Sequence, residues 1–192
     1  MKLAIVDLAY GNIGSISFAF ERLGATPVVT ADPRQIAAAE RVVLPGVGAA
    51  GHAMRRIETL GLRDCLRSLS QPALGICLGM QLLFTGSEEE DTRCLGIVDG
   101  RVRALKAAPG MPVPHLGWSK LSVSGEGLGI ASGDYVYFAH GYACDLGPAT
   151  VATADYGSRI PAAVRQANWL GAQFHPERSG DAGARFLEAF LA

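Results

Sequence analysis

Residues 72–84 read Pro72-Ala-Leu-Gly-Ile-Cys-Leu-Gly-Met-Gln-Leu-Leu-Phe84. The apolar run Pro72–Ile76 has the character of a short buried strand, and Leu78–Phe84 has that of the first turns of a helix. Between them stands Cys77, with Gly75 and Gly79 two residues to either side. This is the spacing of a nucleophile elbow, the thiol counterpart of Gly-x-Ser-x-Gly. A strand that turns this sharply into a helix needs residues without a bulky Cβ around the bend. A thiol at the bend lies near a helix N-terminus, whose partial positive charge favours the thiolate, the reactive form. The pentapeptide alone leaves a second reading open, a buried structural cysteine, which is the usual fate of a free Cys.

Upstream of the elbow, strand and helix alternate. Leu3–Asp7 reads as a parallel core strand, and Gly11–Leu23 as a helix with Ile13, Ile16, Phe20 and Leu23 on one face. Pro27–Thr30 is a second strand, and Asp32-Pro33 begins another helix by the cap-then-proline rule. Arg41–Leu44 is a third strand ending at Pro45-Gly-Val-Gly48, and His52–Leu69 follows with a helical pattern. A βαβαβ series of this kind implies a parallel sheet with helices on both faces. Beyond Gly86 the texture changes to short β-like runs near 95–105, 112–123, 134–138, 150–154 and 160–165, an antiparallel or mixed extension. Leu170–Phe174 is a last strand running into His-Pro-Glu, and Gly180–Leu191 a terminal helix. With no repeat, low-complexity tract or linker, residues 1–192 read as one domain.

The 192 residues, almost half of them hydrophobic, are enough to build a core without metal or disulfide support. A formal net charge of −1 gives no sign of a nucleic-acid surface, and the acidic run Glu88–Asp91 reads as a solvated loop. Cys65, Cys77, Cys94 and Cys144 form no Cys-x-x-Cys pair, so neither a zinc ribbon nor a thioredoxin-type site is indicated. No signal-type or membrane-length apolar run precedes or interrupts the chain, and the expected compartment is a reducing cytoplasm.

A thiol nucleophile needs a base, and the base needs orienting. His175 and Glu177, at i and i+2 on a segment expected to be extended, project to the same side. Pro176 between them has no N–H to compete for the carboxylate. Glu177 can then accept from one imidazole nitrogen while the other faces Cys77, the logic of a Ser-His-Asp triad with different atoms. His-x-Glu also begins a zinc-deaminase pattern, but the downstream Pro-Cys-x-x-Cys is missing. Acyl chemistry further requires oxyanion donors. The Leu78 amide follows the nucleophile directly, and Pro45–Gly48 has the flexibility to supply a second amide, although alone it reads as a tight βα turn. Gly11–Gly14 lacks the dinucleotide-binding fingerprint.

Together, Gly75–Phe84, Pro45-Gly-Val-Gly-Ala49 and Gln173-Phe-His-Pro-Glu-Arg-Ser179 resemble the class I (triad) glutamine amidotransferases. Pro112-Val-Pro-His-Leu-Gly-Trp118 and Tyr137-Phe-Ala-His140 narrow the resemblance to the glutaminase subunits of imidazole glycerol phosphate synthases, and it spans essentially the whole chain. The resemblance implies an α/β, flavodoxin-like amidotransferase fold: a parallel or mixed central sheet flanked by helices, with a small additional antiparallel sheet. It implies Cys77 as nucleophile, His175 as base and Glu177 as orienting carboxylate, with Val47 and Leu78 as oxyanion-hole amides. Gly48, Gln81, Gly141 and Tyr142 would hold glutamine, while Asn12, Trp118, Tyr137 and Arg178 match positions at or near a partner-facing surface and ammonia gate. The implied partner is a HisF-type (β/α)8 cyclase subunit in a heterodimer. It receives the ammonia and converts PRFAR to imidazole glycerol phosphate and AICAR in histidine biosynthesis. No cofactor, metal, nucleic acid or membrane is implied.

Three departures from the family pattern bear on partner fit and affinity and leave the triad intact. These are Gly117-Trp-Ser119 for Gly-Trp-Asn, Gly141-Tyr-Ala143 for Ser-Tyr-Tyr, and the first turn Asp7-Leu-Ala-Tyr-Gly-Asn12. Three rival readings compete: a paralogous subunit feeding another acceptor such as a surface sugar, a DJ-1/PfpI-like cysteine hydrolase, and a non-catalytic binding module. The second leaves His175-Pro-Glu177 and Gln81 without a reason. An intact Cys77, His175 and Glu177 speaks against the third.

Overall fold

The computed structural model describes residues 2–9 and 11–192; Tyr10, in the first βα turn, lies outside the described residues. Four strands lead up to the elbow: β1 (Lys2–Val6), β2 (Thr26–Thr30), β3 (Arg41–Gly46) and β4 (Ala73–Cys77). They alternate with α1 (Ile13–Arg22), α2 (Pro33–Ala37), α3 (Ala50–Thr59), α4 (Leu62–Arg67) and α5 (Leu78–Gln81). The later part of the chain gives β5 (Gly86–Ser87), β6 (Thr92–Arg93), β7 (Arg101–Ala104), β8 (His115–Val123), β9 (Tyr135–His140) and β10 (Tyr142–Cys144). It ends with β11 (Thr150–Tyr156), β12 (Ser158–Gln166), β13 (Trp169–Ala172) and α6 (Gly180–Leu191).

Nine strands form one sheet in the order β2-β1-β3-β4-β13-β12-β11-β8-β9. Its first five strands pair in parallel and the remaining pairs are antiparallel. The expected extension thus continues the main sheet past β13. A second sheet, β10-β7-β5-β6, is antiparallel in two pairings and parallel between β5 and β7. Alternation within the parallel strands supplies both faces. Leu3, Ile5, Val43 and Leu74 pack with Ile16, Phe20, Phe186 and Phe190 of α1 and α6. Val6, Val42 and Leu44 face the other way, toward Met54, Ile57, Leu62 and Leu66 of α3 and α4. Burial on both faces is why these strands read as continuous apolar runs.

Two helices differ from the sequence pattern. The segment expected as one helix over His52–Leu69 breaks at Gly61, whose φ of +65° starts α4 afresh. The helix after the elbow stops at Gln81 because the following carbonyls find other partners. Leu82, Leu83 and Phe84 accept hydrogen bonds from the amides of residues 95–98, which ties the chain into the small sheet. Asp32 caps α2 through the Arg34 amide at 2.8 Å, as the cap-then-proline pattern predicts.

Because β1 connects outward to β2 while β3 and β4 lie on its other side, the strand order reverses beside β1. Open sheets bind ligands outside the carboxyl ends of the strands at such a reversal. The ends of β1, β3, β4 and β13 converge there.

Candidate active site

The elbow is locked by backbone contact. A Cβ built on Gly79 would lie 1.9 Å from the Leu44 carbonyl oxygen, and one on Gly75 would lie 2.7 Å from the Gly79 oxygen. Gly46, at the end of β3, is closed in the same way, 2.8 Å from the Gly79 amide nitrogen. With no room for side chains at these three positions, β3, β4 and the start of α5 meet at backbone distance. The bend forces Cys77 to φ +53° and ψ −110°, a strained conformation for a residue with a side chain. The reward is position: Cys77 lines a cavity of about 590 Å³ at the N-terminus of α5.

Parallel pairing of β13 with β4 sets Ala172 beside Ile76, so Gln173 follows alongside Cys77 and His175 lies one strand period further on. His175 is extended, at φ −95° and ψ 97°, but Pro176–Arg178 then closes into a 3₁₀ turn where an extended segment was expected. That turn brings the Glu177 carboxylate back, and its Oε1 lies 2.9 Å from His175 Nδ1. The Glu177 side chain is wholly buried. Ser179 pins His175 from behind: its hydroxyl donates to the His175 carbonyl at 2.7 Å and accepts from the Tyr137 amide at 3.0 Å. Burial pulls the imidazole toward its neutral form, yet hydrogen bonding to Cys77 and Glu177 and their negative charges overcome it and raise its pKa to about 10. At neutral pH the pair is therefore an imidazolium facing a sulfur, with a carboxylate behind it.

The cavity wall gathers Asn12, Val47, Gly48, Leu78, Gln81, Gly141, Tyr142 and Arg178 from separate parts of the chain. Gly48 takes φ +82°, the freedom expected of its loop. Gln81 has a second task, since its side-chain nitrogen donates to the Tyr142 carbonyl and to Gln173 Oε1, each at 2.9 Å. Asn12 reaches the same carboxylate, with Nδ2 3.4 Å from Glu177 Oε1. Trp118 and Tyr137 stand outside the cavity on the β8–β9 face, edge to face with ring centroids 6.0 Å apart. The Arg178 guanidinium sits 4.6 Å from the Tyr137 ring centroid and links that face to the cavity.

Three residues at the site were not singled out from the sequence. Glu89, read as part of a solvated acidic loop, accepts from the Ala50 amide at 2.7 Å and lines the cavity. The two residues after it, Glu90 and Asp91, take left-handed φ angles of +55° and +44°, which no local pattern announces. His140 also lines the wall, its Nδ1 2.7 Å from the Tyr142 carbonyl. Burial lowers its pKa to about 4. The third is Gln173, whose side-chain nitrogen lies 3.7 Å from the Cys77 sulfur. Among the described residues, no group of three or more His, Cys, Asp or Glu is arranged to hold a metal.

Comparison with known proteins agrees with this architecture. Residues 5–192 match the family described as glutamine amidotransferase class-I. The chain is 45% identical over 192 residues to the imidazole glycerol phosphate synthase subunit HisH of Idiomarina loihiensis, covering 100% of this chain and 97% of that protein. It is 47% identical over 193 residues to the HisH subunit of Xylella fastidiosa (strain Temecula1), covering 99% and 96%. The corresponding figures for the HisH subunit of Yersinia pestis are 44% over 195 residues, 100% and 99%. Among solved structures, a glutamine amidotransferase superposes with a TM-score of 0.77 at 22% identity, covering 98% of this chain and 99% of that one. The glutaminase domain of Trypanosoma brucei CTPS gives a TM-score of 0.68 at 15% identity, covering 100% and 94%. At these identities the two structures speak for the fold alone.

Proposed function

The chain belongs to the class-I glutamine amidotransferase family and, within it, to the HisH subunits, and on that premise we propose that it is the glutaminase subunit of an imidazole glycerol phosphate synthase. One observation carries the reading: Cys77 at the strained elbow and the Glu177-bound His175 sit at neighbouring strand ends of one cavity. The Cys77 thiolate attacks the side-chain amide carbon of glutamine. The backbone amides of Val47 and Leu78 receive the oxyanion, Leu78 offering one of the unpaired N–H groups of a helix start. His175, already protonated, gives its proton to the departing nitrogen, and ammonia leaves. Water then attacks the γ-glutamyl thioester while the neutral imidazole takes a proton from it, which regenerates the thiolate–imidazolium pair. Glu177 holds the ring so that Nε2 serves both steps.

The amino-acid end of the substrate meets complementary groups. The Glu89 carboxylate suits an α-ammonium, and the Gly48 and Gly141–Tyr142 segments offer backbone groups. Gly141 lacks the side chain that a serine would bring here, so the hold on glutamine at this point is through backbone. The partner is a HisF-type (β/α)8 cyclase that docks over the β8–β9 face and receives ammonia to convert PRFAR to imidazole glycerol phosphate and AICAR, in the cytoplasm. Exposed Leu116, Trp118 and Tyr135 on that face give such a partner apolar anchors beside the cavity. Among the described residues, no helix is long and apolar enough to cross a membrane.

The test pairs the chain with a HisF-type cyclase and follows PRFAR turnover with glutamine or with ammonium as nitrogen source. Cys77→Ala should lower glutamine-dependent turnover by at least about a thousandfold while ammonia-dependent turnover persists. Undiminished glutamine hydrolysis by Cys77→Ala would refute the nucleophile. Loss of both activities would mean that the substitution had disturbed the complex as a whole.

A further inference from the structure

Gln173 is fully buried, and buried amides are kept only when their hydrogen bonds are made. Its oxygen is fixed first: Oε1 accepts from Gln81 Nε2 at 2.9 Å, and Gln81 is anchored by donating equally to the Tyr142 carbonyl. With the oxygen held toward Gln81, the nitrogen must point the other way, where the Cys77 sulfur lies at 3.7 Å. On the backbone side, the Ala139 carbonyl lies 3.9 Å from that sulfur. A carbonyl can only accept, so it favours the S–H form. An amide N–H can only donate, so it favours the thiolate. The sulfur thus has an acceptor and a donor within reach, with the His175 imidazolium as its charged partner.

We propose that Gln173 is a positioning residue for the nucleophile, its buried N–H holding the Cys77 sulfur as a thiolate directed into the cavity, with Gln81 fixing the direction of the amide. The inference rests on the reading of Cys77 as nucleophile. It adds a donor that neither the triad nor the oxyanion amides supply. No proton moves at Gln173: the amide stays neutral throughout, so it stabilises the attacking sulfur without competing with His175 for the proton. Gln81 thereby joins the glutamine-binding edge at Tyr142 to the sulfur through two side-chain amides, and displacement of the Tyr142 carbonyl reaches the nucleophile through three hydrogen bonds.

The charged and titratable groups around this sulfur are His175 and Glu177 beyond β13, His140 at the end of β9, Cys144 in β10, and Glu89 and Arg178 on the cavity wall. Only Cys144 changes, and it changes in the common background shared by the reference protein and every Gln173 variant. Gln173→Glu keeps the shape and the acceptor for Gln81 but replaces the donor with an acceptor. Gln173→Met keeps the length and removes the polarity.

The readout is the pH profile of Cys77 alkylation by iodoacetamide, which follows the sulfur without any glutamine turnover. Cys65, Cys94 and Cys144 are replaced by serine or alanine in the background. Gln173→Met should slow alkylation at neutral pH by about tenfold, the size of one hydrogen bond to a charged acceptor. Gln173→Glu should slow it further, and both profiles should move to higher pH. A folded variant with the wild-type profile overturns the proposal. In the unsubstituted protein, the Gln173 side-chain amide resonances should shift with the same midpoint as alkylation, and resonances indifferent to pH would overturn it without any variant. If Cys77→Ala retained glutaminase activity while these shifts were seen, the reading of Cys77 would fail and the hydrogen bond would stand, so the two failures are distinct.

Discussion

The elbow around Cys77 and the β8–β9 face flank one cavity, yet they are built from opposite materials. At the elbow, Gly46, Gly75 and Gly79 strip side chains away so that backbone can touch backbone, and almost nothing reaches solvent. On the β8–β9 face, large side chains stand outward: Leu116 is 64% exposed, Trp118 55% and Tyr135 56%. The elbow packs backbone against backbone around Cys77, the kind of fixed position that the proposed near-attack geometry requires. The exposed face fixes nothing by itself and offers apolar area for a partner to cover. On the proposed function, chemistry falls where the chain is least tolerant and recognition where it is most tolerant. His140 stands between the two regions, at the end of β9, buried and neutral.

The contrast breaks most sharply at Gly79. A methyl group there would stand 1.9 Å from the Leu44 oxygen, against the backbone of β3 rather than a movable side chain, so relief requires separating β3 from α5. Gly79→Ala should cost about 3 kcal/mol or more, toward the upper end of single substitutions. Urea unfolding that gives the wild-type midpoint would show that the elbow is not locked as described.

His140 gives the next effect, with a definite sign. Its folded pKa is about 4, against an ordinary value of 6.5. The unfolded chain therefore binds the proton first as pH falls, and the stability contributed by keeping this ring neutral is present above about 6.5 and lost as pH falls toward 4. Over that window the wild-type protein should lose about 3 kcal/mol more than His140→Asn. His175, raised to about 10, is protonated in both states below 6.5 and contributes no slope there; its contribution is lost between 6.5 and 10 as pH rises. Parallel acid-unfolding curves for the wild type and His140→Asn would contradict the burial of a neutral ring.

Trp118 should give the smallest effect on stability and a selective effect on association. Because the ring is more than half exposed, Trp118→Ala should change unfolding free energy by no more than about 0.5 kcal/mol. Affinity for a HisF-type cyclase should fall by about tenfold or more, as at an aromatic interface anchor. A large stability loss with unchanged partner affinity would reverse the contrast between the two regions.

The elbow was legible because its constraints are local. Gly75, Cys77 and Gly79 lie within five residues, and the need for small neighbours around a strained turn is written in that spacing. The terminal helix was legible for a similar reason, and α6 spans the expected Gly180–Leu191. The turn after His175 was harder. Pro176–Arg178 closes into a 3₁₀ turn that serves the same pairing by a different backbone path, set by Ser179 and Tyr137 from outside the segment. Glu89 was hidden for a further reason: an acidic run looks the same whether it faces water or a cavity, and the Ala50 amide that Glu89 meets belongs to another element.

By itself, the sequence determined that a cysteine would be held at a strand-to-helix turn, that an imidazole and a carboxylate would follow at i and i+2, and which family this combination resembles. Each of these depends on neighbours a few bonds away. The tertiary structure alone decided what meets the sulfur. The register of β13 against β4 places Gln173 beside Cys77, and the strand order brings Gln81, Tyr142 and Glu89 to the same wall. Register and order are set by the summed packing of both faces of the sheet. No short stretch of chain carries that sum.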